Sequence, residues 1–183
     1  MIDTPVMLRA IRWRDWRYLA QLSFDAFPDA TPAQVSRTLR DAPNIIVLEI
    51  ADKPAGYAAF RHERQGVLWC DWMTVDPQYR SQGYGALLVQ AVESVAAVRG
   101  YKTIMLAVLK ANHRAYRFHC GHGYEVAGEN SRKYHLMKAI SGPVQRVPSI
   151  PEVHGPRIVR LWHRVLYGLL VGAPQRLRRM LRD

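Results

Sequence analysis

A predicted strand, a glycine-bearing loop and a predicted helix follow one another in mid-chain, and this order constrains the fold most. Residues 67–75 are apolar and predict a strand, and residues 85–99 predict a helix that Gly100 ends. Residues 103–109 predict a second, buried strand. A strand, crossover helix and strand in this order predict parallel pairing. The loop at residues 76–85 should then lie at the carboxyl edge of the sheet, where ligands bind.

The flanking segments predict the rest of a mixed α/β domain. A turn at residues 52–56 should join two strands into an antiparallel hairpin. Thr31 is a candidate N-cap with Pro32 at the first helical position. The further predicted elements are strands at 6–11, 44–50, 57–62 and 133–140 and helices at 13–27, 31–40 and 112–120.

Length and composition exclude several other classes of protein. The 183 residues suit one domain with an appendage. A hydrophobic fraction of 49% and a charged fraction of 22% exclude wholesale disorder and coiled-coil arrays. Two cysteines are too few for a disulfide scaffold, and the first residues do not resemble a signal peptide. The longest uncharged stretch near the end, residues 165–175, is far shorter than the roughly 20 residues of a spanning helix, so we expect a cytoplasmic protein.

The mid-chain loop has the chemistry of a phosphate cradle. It carries Arg80, then Gly83 and Gly85 at the start of the helix. Glycines let a ligand approach the backbone, and a helix N-terminus offers free N–H groups and a positive dipole end. The loop lacks the Gly-Lys-Ser/Thr of a P-loop and the third glycine of a Rossmann fingerprint. Two glycines in a turn are also common for purely structural reasons, but this placement favours pyrophosphate binding.

Two motifs together resemble the GNAT superfamily of acyl-CoA N-acyltransferases. The first is Arg80-x-x-Gly83-x-Gly85 after Met73-Thr-Val75, and the second runs from Asn112 to Tyr124. The resemblance covers about residues 6–140. It implies a mostly antiparallel central sheet flanked by helices, with a V-shaped split between two parallel strands. It also implies an acetyl-CoA-dependent enzyme that transfers an acetyl group directly to a primary amine, on a protein N-terminus, a lysine or a small molecule.

The resemblance assigns the donor site residue by residue. The strand backbone at residues 73–75 should pair with the pantetheine arm, and the loop amides should hold the pyrophosphate. Arg80 would add charge, and Asn112 matches an asparagine that contacts CoA. The implied cofactor-binding residues are Met73, Thr74, Val75, Arg80, Ser81, Gln82, Gly83, Tyr84, Gly85, Ala86 and Asn112. Acetyl-CoA acts as the donor substrate, and no metal is implied.

The catalytic positions depart from the family pattern. His119 stands where many members have a tyrosine acid, and an imidazolium would protonate a thiolate only in a site that favours its charged form. Ala107 stands where some members have a glutamate base. Asp71 is the predicted replacement base, and the period of two places it on the same strand face as Trp69, Met73 and Val75.

Simpler roles for these residues stay open. His119 could be a surface or CoA-contacting residue, and Asp71 could form a strand-edge salt bridge. The alternative acids are Tyr116, Tyr124 and Tyr134. The group of His113, His119, Cys120 and His122 lacks the spacing of a zinc site. On the first helix and its loop, Phe24, Asp25, Phe27 and Asp29 occupy what in the resembling family lines the acceptor side.

The last 43 residues differ in character from the rest. Residues 141–156 hold four prolines and predict a linker, and residues 157–183 predict a basic amphipathic helical extension. Eight arginines against two acids give residues 141–183 a net charge of +6, out of +11 for the chain. This tail fits packing on the domain or a second subunit in a homodimer, contact with anionic lipid at a membrane surface, or nucleic acid. Its aliphatic stripe disfavours nucleic acid. The alternative to an enzyme is a CoA-binding regulatory or scaffold module.

Overall fold

A computed structural model describes residues 5–41, 44–63 and 66–140. These residues form a seven-stranded sheet, and its strands are β1 (Val6–Ala10), β2 (Asn44–Ile50), β3 (Lys53–His62), β4 (Val67–Val75), β5 (Thr103–Leu109), β6 (Glu125–Glu129) and β7 (Lys133–Ala139). The helices are α1 (Trp16–Ala26), α2 (Pro32–Asp41), α3 (Tyr84–Val98) and α4 (His113–Gly121). The predicted linker at 141–156 and the predicted helical tail at 157–183 lie outside the described residues.

The sheet has the order β1-β2-β3-β4-β5-β7-β6. Its neighbouring strands pair antiparallel, with the exception of β4 and β5, which pair parallel through the α3 crossover. The predicted mixed α/β fold with a mostly antiparallel sheet is confirmed. No helix in the described part of the chain is long and apolar enough to cross a membrane.

Helices cover both faces of the sheet. On one face, α1 and α2 bury Leu19, Leu22 and Val35 against Val47 and Tyr57 of the sheet. On the other face, α3 buries an apolar stripe, Leu88, Val92 and Val95 among it, in the larger core cluster. Thr31 caps α2 as predicted, since its hydroxyl accepts from the Gln34 amide. The Gln34 side chain also accepts from the Thr31 amide, which completes a capping box.

The parallel strands diverge before they end. Pairing between β4 and β5 stops at Cys70 and Leu106, whereas β4 continues to Val75 and β5 to Leu109. This is the predicted V-shaped split. Its fork lies at Asp71, the first residue of β4 beyond the parallel pairing.

A β-bulge also lies at Asp71. Ala59 of β3 pairs with Trp72 and Phe60 pairs with Cys70, so Asp71 has no opposite residue. The extra residue changes the side-chain alternation: Met73 and Val75 pack in the same core cluster as Cys70. The expectation that Asp71 shares a face with Met73 and Val75 was therefore wrong, because it assumed an unbroken period of two.

One strand was not predicted from the sequence. The β6 segment, Glu-Val-Ala-Gly-Glu, is short, and its residues are mostly exposed. It pairs with β7 through a bulge between Val126 and Gly128. Its strand conformation thus depends on its partner and not on an apolar alternation of its own. The β3 strand begins at Lys53, four residues before the predicted start, because its pairing with β2 extends to the turn.

Candidate functional site

The loop between β4 and α3 is held by side chains at both ends. Asp76 accepts from the Gln78 amide at 3.0 Å and so caps a 3-10 turn at Pro77–Tyr79. The Tyr18 hydroxyl of α1 donates to the second Asp76 oxygen at 2.6 Å. At the other end, Ser81 and Gly83 have positive φ values of 62° and 84°. Gly83 is the N-cap of α3, at a φ that glycine adopts without strain.

This loop has the features that a pyrophosphate needs. The first amides of a helix have no acceptor in a preceding turn, and the helix dipole is positive at this end. In α3 the Ala86 amide donates to the Gly83 carbonyl at 3.0 Å, so the Tyr84 and Gly85 amides are the candidate donors to a ligand. The Arg80 Nε donates to the Val75 carbonyl at 2.8 Å, which ties the loop to the end of β4. The Arg114 guanidinium donates to the Ser81 hydroxyl at 3.1 Å and brings a second cation to the loop. The residues present therefore fit a bound diphosphate.

The strand and helix beside the loop hold the other predicted donor-binding residues. Met73, Thr74 and Val75 pair with β3 on one side. Their other edge faces the split, because pairing with β5 has ended. Asn112 is the N-cap of α4, and its side-chain oxygen accepts from the Ala115 amide at 3.0 Å. The predicted strand and loop residues thus line one continuous path, and their roles in binding stay predictions.

Asp71 forms a salt bridge at the fork of the split. Its Oδ1 lies 3.2 Å from the Nε of Arg61 on β3. The same guanidinium reaches Glu63 at 3.1 Å and lies 5.8 Å from the centre of the Trp69 ring. Burial raises the pKa of Asp71 to about 6, against the opposing effect of Arg61 and with a further contribution from Glu63. The salt bridge that the sequence left open is present, and the carboxyl has the proton affinity of a base at neutral pH.

His119 is buried on α4. Its side chain is packed beside Phe118 and Tyr124, and among the described residues its Nδ1 has no hydrogen-bond partner. Burial, with a smaller effect of His122, lowers the pKa of His119 to about 4. The imidazole is therefore neutral at pH 7, and the charged form on which the predicted acid role depended is disfavoured. No hydrogen bond or ion pair joins His119 to Asp71 in the described part of the chain.

The alternative tyrosines differ in exposure. Tyr116 stacks on Tyr134 with ring centroids 4.9 Å apart and is half-buried. The neighbouring Cys120 thiol raises the pKa of Tyr116. Tyr124 is fully buried, and burial raises its pKa. Tyr116 and Tyr134 are thus more exposed than Tyr124. Within the described ranges no three histidine, cysteine or acidic side chains form a metal-binding group.

Residues 6–124 match the acetyltransferase (GNAT) family, which is well over half of the chain. The chain belongs to the GNAT family. Membership makes acetyl transfer the chemistry of this site, with acetyl-CoA as donor, and the loop and split described above fit that donor.

Solved structures share this GNAT fold. Ard1 from Thermoplasma volcanium is 18% identical with a TM-score of 0.67, covering 74% of this chain and 97% of its own. Arabidopsis thaliana Naa50, solved with the bisubstrate analogue CoA-Ac-MVNAL, is 21% identical with a TM-score of 0.63 over 73% and 97%. The ribosomal-protein-S18-alanine N-acetyltransferase of Escherichia coli is 17% identical with a TM-score of 0.66 over 78% and 99%. At these identities the likeness is one of fold.

Three residues beside the candidate site were not predicted from the sequence. Arg61 pairs with the predicted base, Arg114 contacts Ser81 in the loop before α3, and the Tyr18 hydroxyl donates to Asp76. Arg61 could have been found from the register of the β3–β4 hairpin, because that register places it directly opposite Trp69, two residues before Asp71. Arg114 stands two residues after Asn112, in the first turn of α4. Tyr18 had no local signal, because its partner is 58 residues away.

Proposed function

We propose that the protein is an acetyl-CoA-dependent N-acetyltransferase that transfers an acetyl group directly from the thioester to a primary amine. The observation that carries the proposal is the position of Asp71. This carboxyl lies at the fork of the split, beside the strand edge that is open to the donor. A GNAT donor site and a carboxyl of raised pKa thus meet at one point of the sheet.

The donor would lie along β4 and the loop that follows it. The backbone of Met73, Thr74 and Val75 would pair with the pantetheine arm, and the amides of the loop from Ser81 to Ala86 would hold the pyrophosphate. Arg80 and Arg114 would add positive charge at the loop. Asn112 would contact CoA at the start of α4.

Asp71 would act as the general base. Above a pH of about 6 its carboxylate accepts a proton from the incoming amine, directly or through one water. The amine nitrogen then forms a bond to the thioester carbonyl carbon, and the carbon–sulfur bond breaks. The thiolate that leaves must receive a proton. His119 could supply it only from its imidazolium form, which burial disfavours at neutral pH, whereas Tyr116, a half-buried residue, could supply it from its hydroxyl.

A peptide amine is the first acceptor to test. The names of Naa50, solved with a CoA-peptide analogue, and of the S18-alanine N-acetyltransferase both refer to peptide or protein substrates. The net charge of the Asp71, Arg61 and Glu63 group is −1 when all three are ionised, which attracts a cationic amine. A protein N-terminus, a lysine and small amines therefore form the acceptor panel.

A thermal-shift titration tests the donor site. We expect acetyl-CoA and CoA, but not ATP, to raise the melting temperature, because a ligand of the folded state stabilises it by mass action. G83W should abolish the shift by filling the cradle. G100W is the matched control, because Gly100 also has a positive φ and lies at the far end of α3. An unchanged acetyl-CoA shift in G83W alongside a normal G100W would refute the assignment.

The second candidate function is a CoA-binding module with little or no turnover. Ala107 stands where some members of the family have a glutamate base, and His119 is neutral at pH 7. Release of CoA from acetyl-CoA, with and without the amine panel, separates the two functions. D71N should lower amine-dependent turnover about 100-fold or more, on the order of a general-base effect, and leave acetyl-CoA affinity unchanged. Binding without any amine-dependent turnover would favour the module.

The remaining expectations from the sequence stay proposals. They are the linker and tail boundaries, contact of the tail with a membrane surface or a partner protein, a homodimer and a cytoplasmic location. The donor titration and the acceptor panel do not depend on them.

A further inference from the structure

Arg61 makes three contacts at once at the fork of the split. Its Nε lies 3.2 Å from Asp71 Oδ1, its terminal nitrogen donates to Glu63 at 3.1 Å, and its guanidinium lies over the Trp69 ring at 5.8 Å. The planar guanidinium suits this arrangement, because it offers donors in two directions and an apolar face for stacking. A lysine has one charged nitrogen and could not make all three contacts together.

The bulge explains why Asp71 needs such a partner. Because Asp71 has no opposite residue in β3 and has left the pairing with β5, neither neighbouring strand fixes its position by regular register. Arg61, opposite Trp69 in the regular part of the hairpin, reaches past the bulge to the carboxylate. The ion pair thus connects a locally irregular residue to a regular part of the sheet.

The charges around Asp71 act in opposite directions. Arg61 favours its ionised form, and Glu63, on the far side of the same guanidinium, disfavours it. The other titratable groups nearby are Cys70 on β4, whose pKa burial raises to about 12, and His135 on β7, whose ring lies 6.1 Å from the Trp69 ring. Without Arg61, Asp71 would lose its cationic partner while the effect of Glu63 remained, and its ionised form would be less favoured.

From this geometry we propose that Arg61 is a positioning residue for the base: held by its own contacts with Trp69 and Glu63, it keeps the Asp71 carboxylate at the fork and in its ionised form. The inference rests on the proposed function for its catalytic meaning. The effect of Arg61 and Glu63 on the ionisation of Asp71 can be measured even if the protein has no turnover. Arg61 itself exchanges no proton with the substrate.

Opposite shifts in two variants test this arrangement. R61Q should raise the titration midpoint of Asp71 by about one pH unit, near the lower end of the effect of a neighbouring charge. E63Q should lower the midpoint, because it removes the opposing carboxylate. R61K should lie between R61Q and the wild type, because it keeps the charge and loses the fork and the stacking. The matched control is R40Q, which removes the charge of an exposed arginine on α2 whose side chain contacts Ser36 of the same helix.

Two readouts on the full chain keep the inference and the proposed function apart. The first is the Asp71 carboxyl titration by carbon-13 NMR, and the second is the pH profile of kcat/KM with a primary amine. If Asp71 is the base, R61Q should lower kcat/KM about fivefold at pH 6 and leave it near the wild-type value at pH 8. These changes equal the changes in the ionised fraction of Asp71 when its pKa rises by about one unit.

Each result has one meaning. Midpoints that move in opposite directions in R61Q and E63Q, with the kinetic profiles following, support the inference and the base role together. Midpoints that do not move in either variant overturn the inference, whatever the activity. Midpoints that move while the kinetic profile does not follow overturn the catalytic role of both residues. If no amine is acetylated, the NMR titration alone decides whether Arg61 controls Asp71.

Discussion

At the scale of the residue, burial acts differently on groups that have partners and groups that do not. Arg9 is buried and donates to the carboxylates of Asp15 and Glu49. Burial by itself would raise the pKa of Asp15, but the hydrogen bonds and charges of Arg9 and Arg12 together outweigh burial and lower that pKa. His119, also buried, lacks a partner at Nδ1 among the described residues, and burial favours its neutral form. Hydrogen-bonded partners, or their lack, thus decide which protonation state the fold stabilises.

The neutral His119 predicts a pH dependence of stability. Its pKa is about 4 in the folded state and 6.5 ordinarily, so the unfolded state binds a proton first as the pH falls. The free energy of unfolding should be unaffected by this group above pH 6.5, fall between pH 6.5 and 4, and level off below. Relative to H119F, the wild type should lose on the order of 3 kcal/mol between pH 7 and pH 4.

Urea unfolding at several pH values measures this difference. The control variant is H113Q, exposed on the same helix, which should keep the wild-type dependence. If the H119F and wild-type curves of unfolding free energy against pH ran parallel from pH 7 to pH 4, His119 would bind its proton at the same pH in the folded and unfolded states. That result would contradict the lowered pKa. The same H119F protein also tests catalysis. If its turnover falls while its acetyl-CoA affinity stays at the wild-type value, His119 remains a candidate for the general acid.

At the scale of the element, the donor-binding end of β4 depends on how closely β3 approaches it. Gly56 lies opposite Val75 in the register. A Cβ at this position would lie 2.7 Å from the Thr74 carbonyl oxygen and 3.1 Å from the Val75 Cα. Both contacts are with backbone, which cannot move aside like a flexible side chain. Glycine is therefore needed here because of the neighbouring strand.

G56A should disturb both stability and donor binding. We expect a loss of about 1–3 kcal/mol in the free energy of unfolding, the range for overpacking. Acetyl-CoA affinity should also fall, because the Thr74 and Val75 backbone must shift. Denaturant unfolding and a binding titration measure the two effects. G128A in β6, where no atom lies within 4 Å of the added Cβ, is the control. Wild-type stability in G56A would contradict the close approach.

At the scale of the whole molecule, the described strands and helices lie between Val6 and Ala139, and the family match covers residues 6–124. The last described residue, Ile140, donates from its amide to the Lys102 carbonyl. Residues 141–183 lie outside the described residues and carry +6 of the chain's charge. These observations predict that the tail is separable from the domain.

Removal of residues 141–183 should leave a folded domain that binds acetyl-CoA with unchanged affinity. Thermal melting and the donor titration measure this. Sedimentation of the full chain and the truncated chain with phosphatidylcholine vesicles, with and without phosphatidylserine, tests the tail. Binding of the full chain alone to the anionic vesicles at low salt, lost at high salt, would support the membrane-surface hypothesis. A large loss of stability on truncation would instead support packing on the domain.

The features that depend on local chemistry could be predicted from the amino-acid sequence. The bounds of β2, β4 and β5 were predicted, because their apolar and β-branched runs are bounded by turn residues. The loop before α3 was predicted from its glycines, and the capping box at Thr31 and Gln34 forms between residues three apart. The donor site follows from this local order, because strand, loop and helix are consecutive in the chain.

Tertiary structure alone decided the features that join distant segments. The bulge at Asp71 depends on the register with β3, and β6 is a strand because β7 is beside it. The contact of Arg61 with Asp71, and the burial that neutralises His119, arise only when separate elements pack together. Local propensity carries no information about such pairings, whereas protonation state and register depend on them. The sequence could thus predict a donor site, but the environment of the catalytic candidates required the fold.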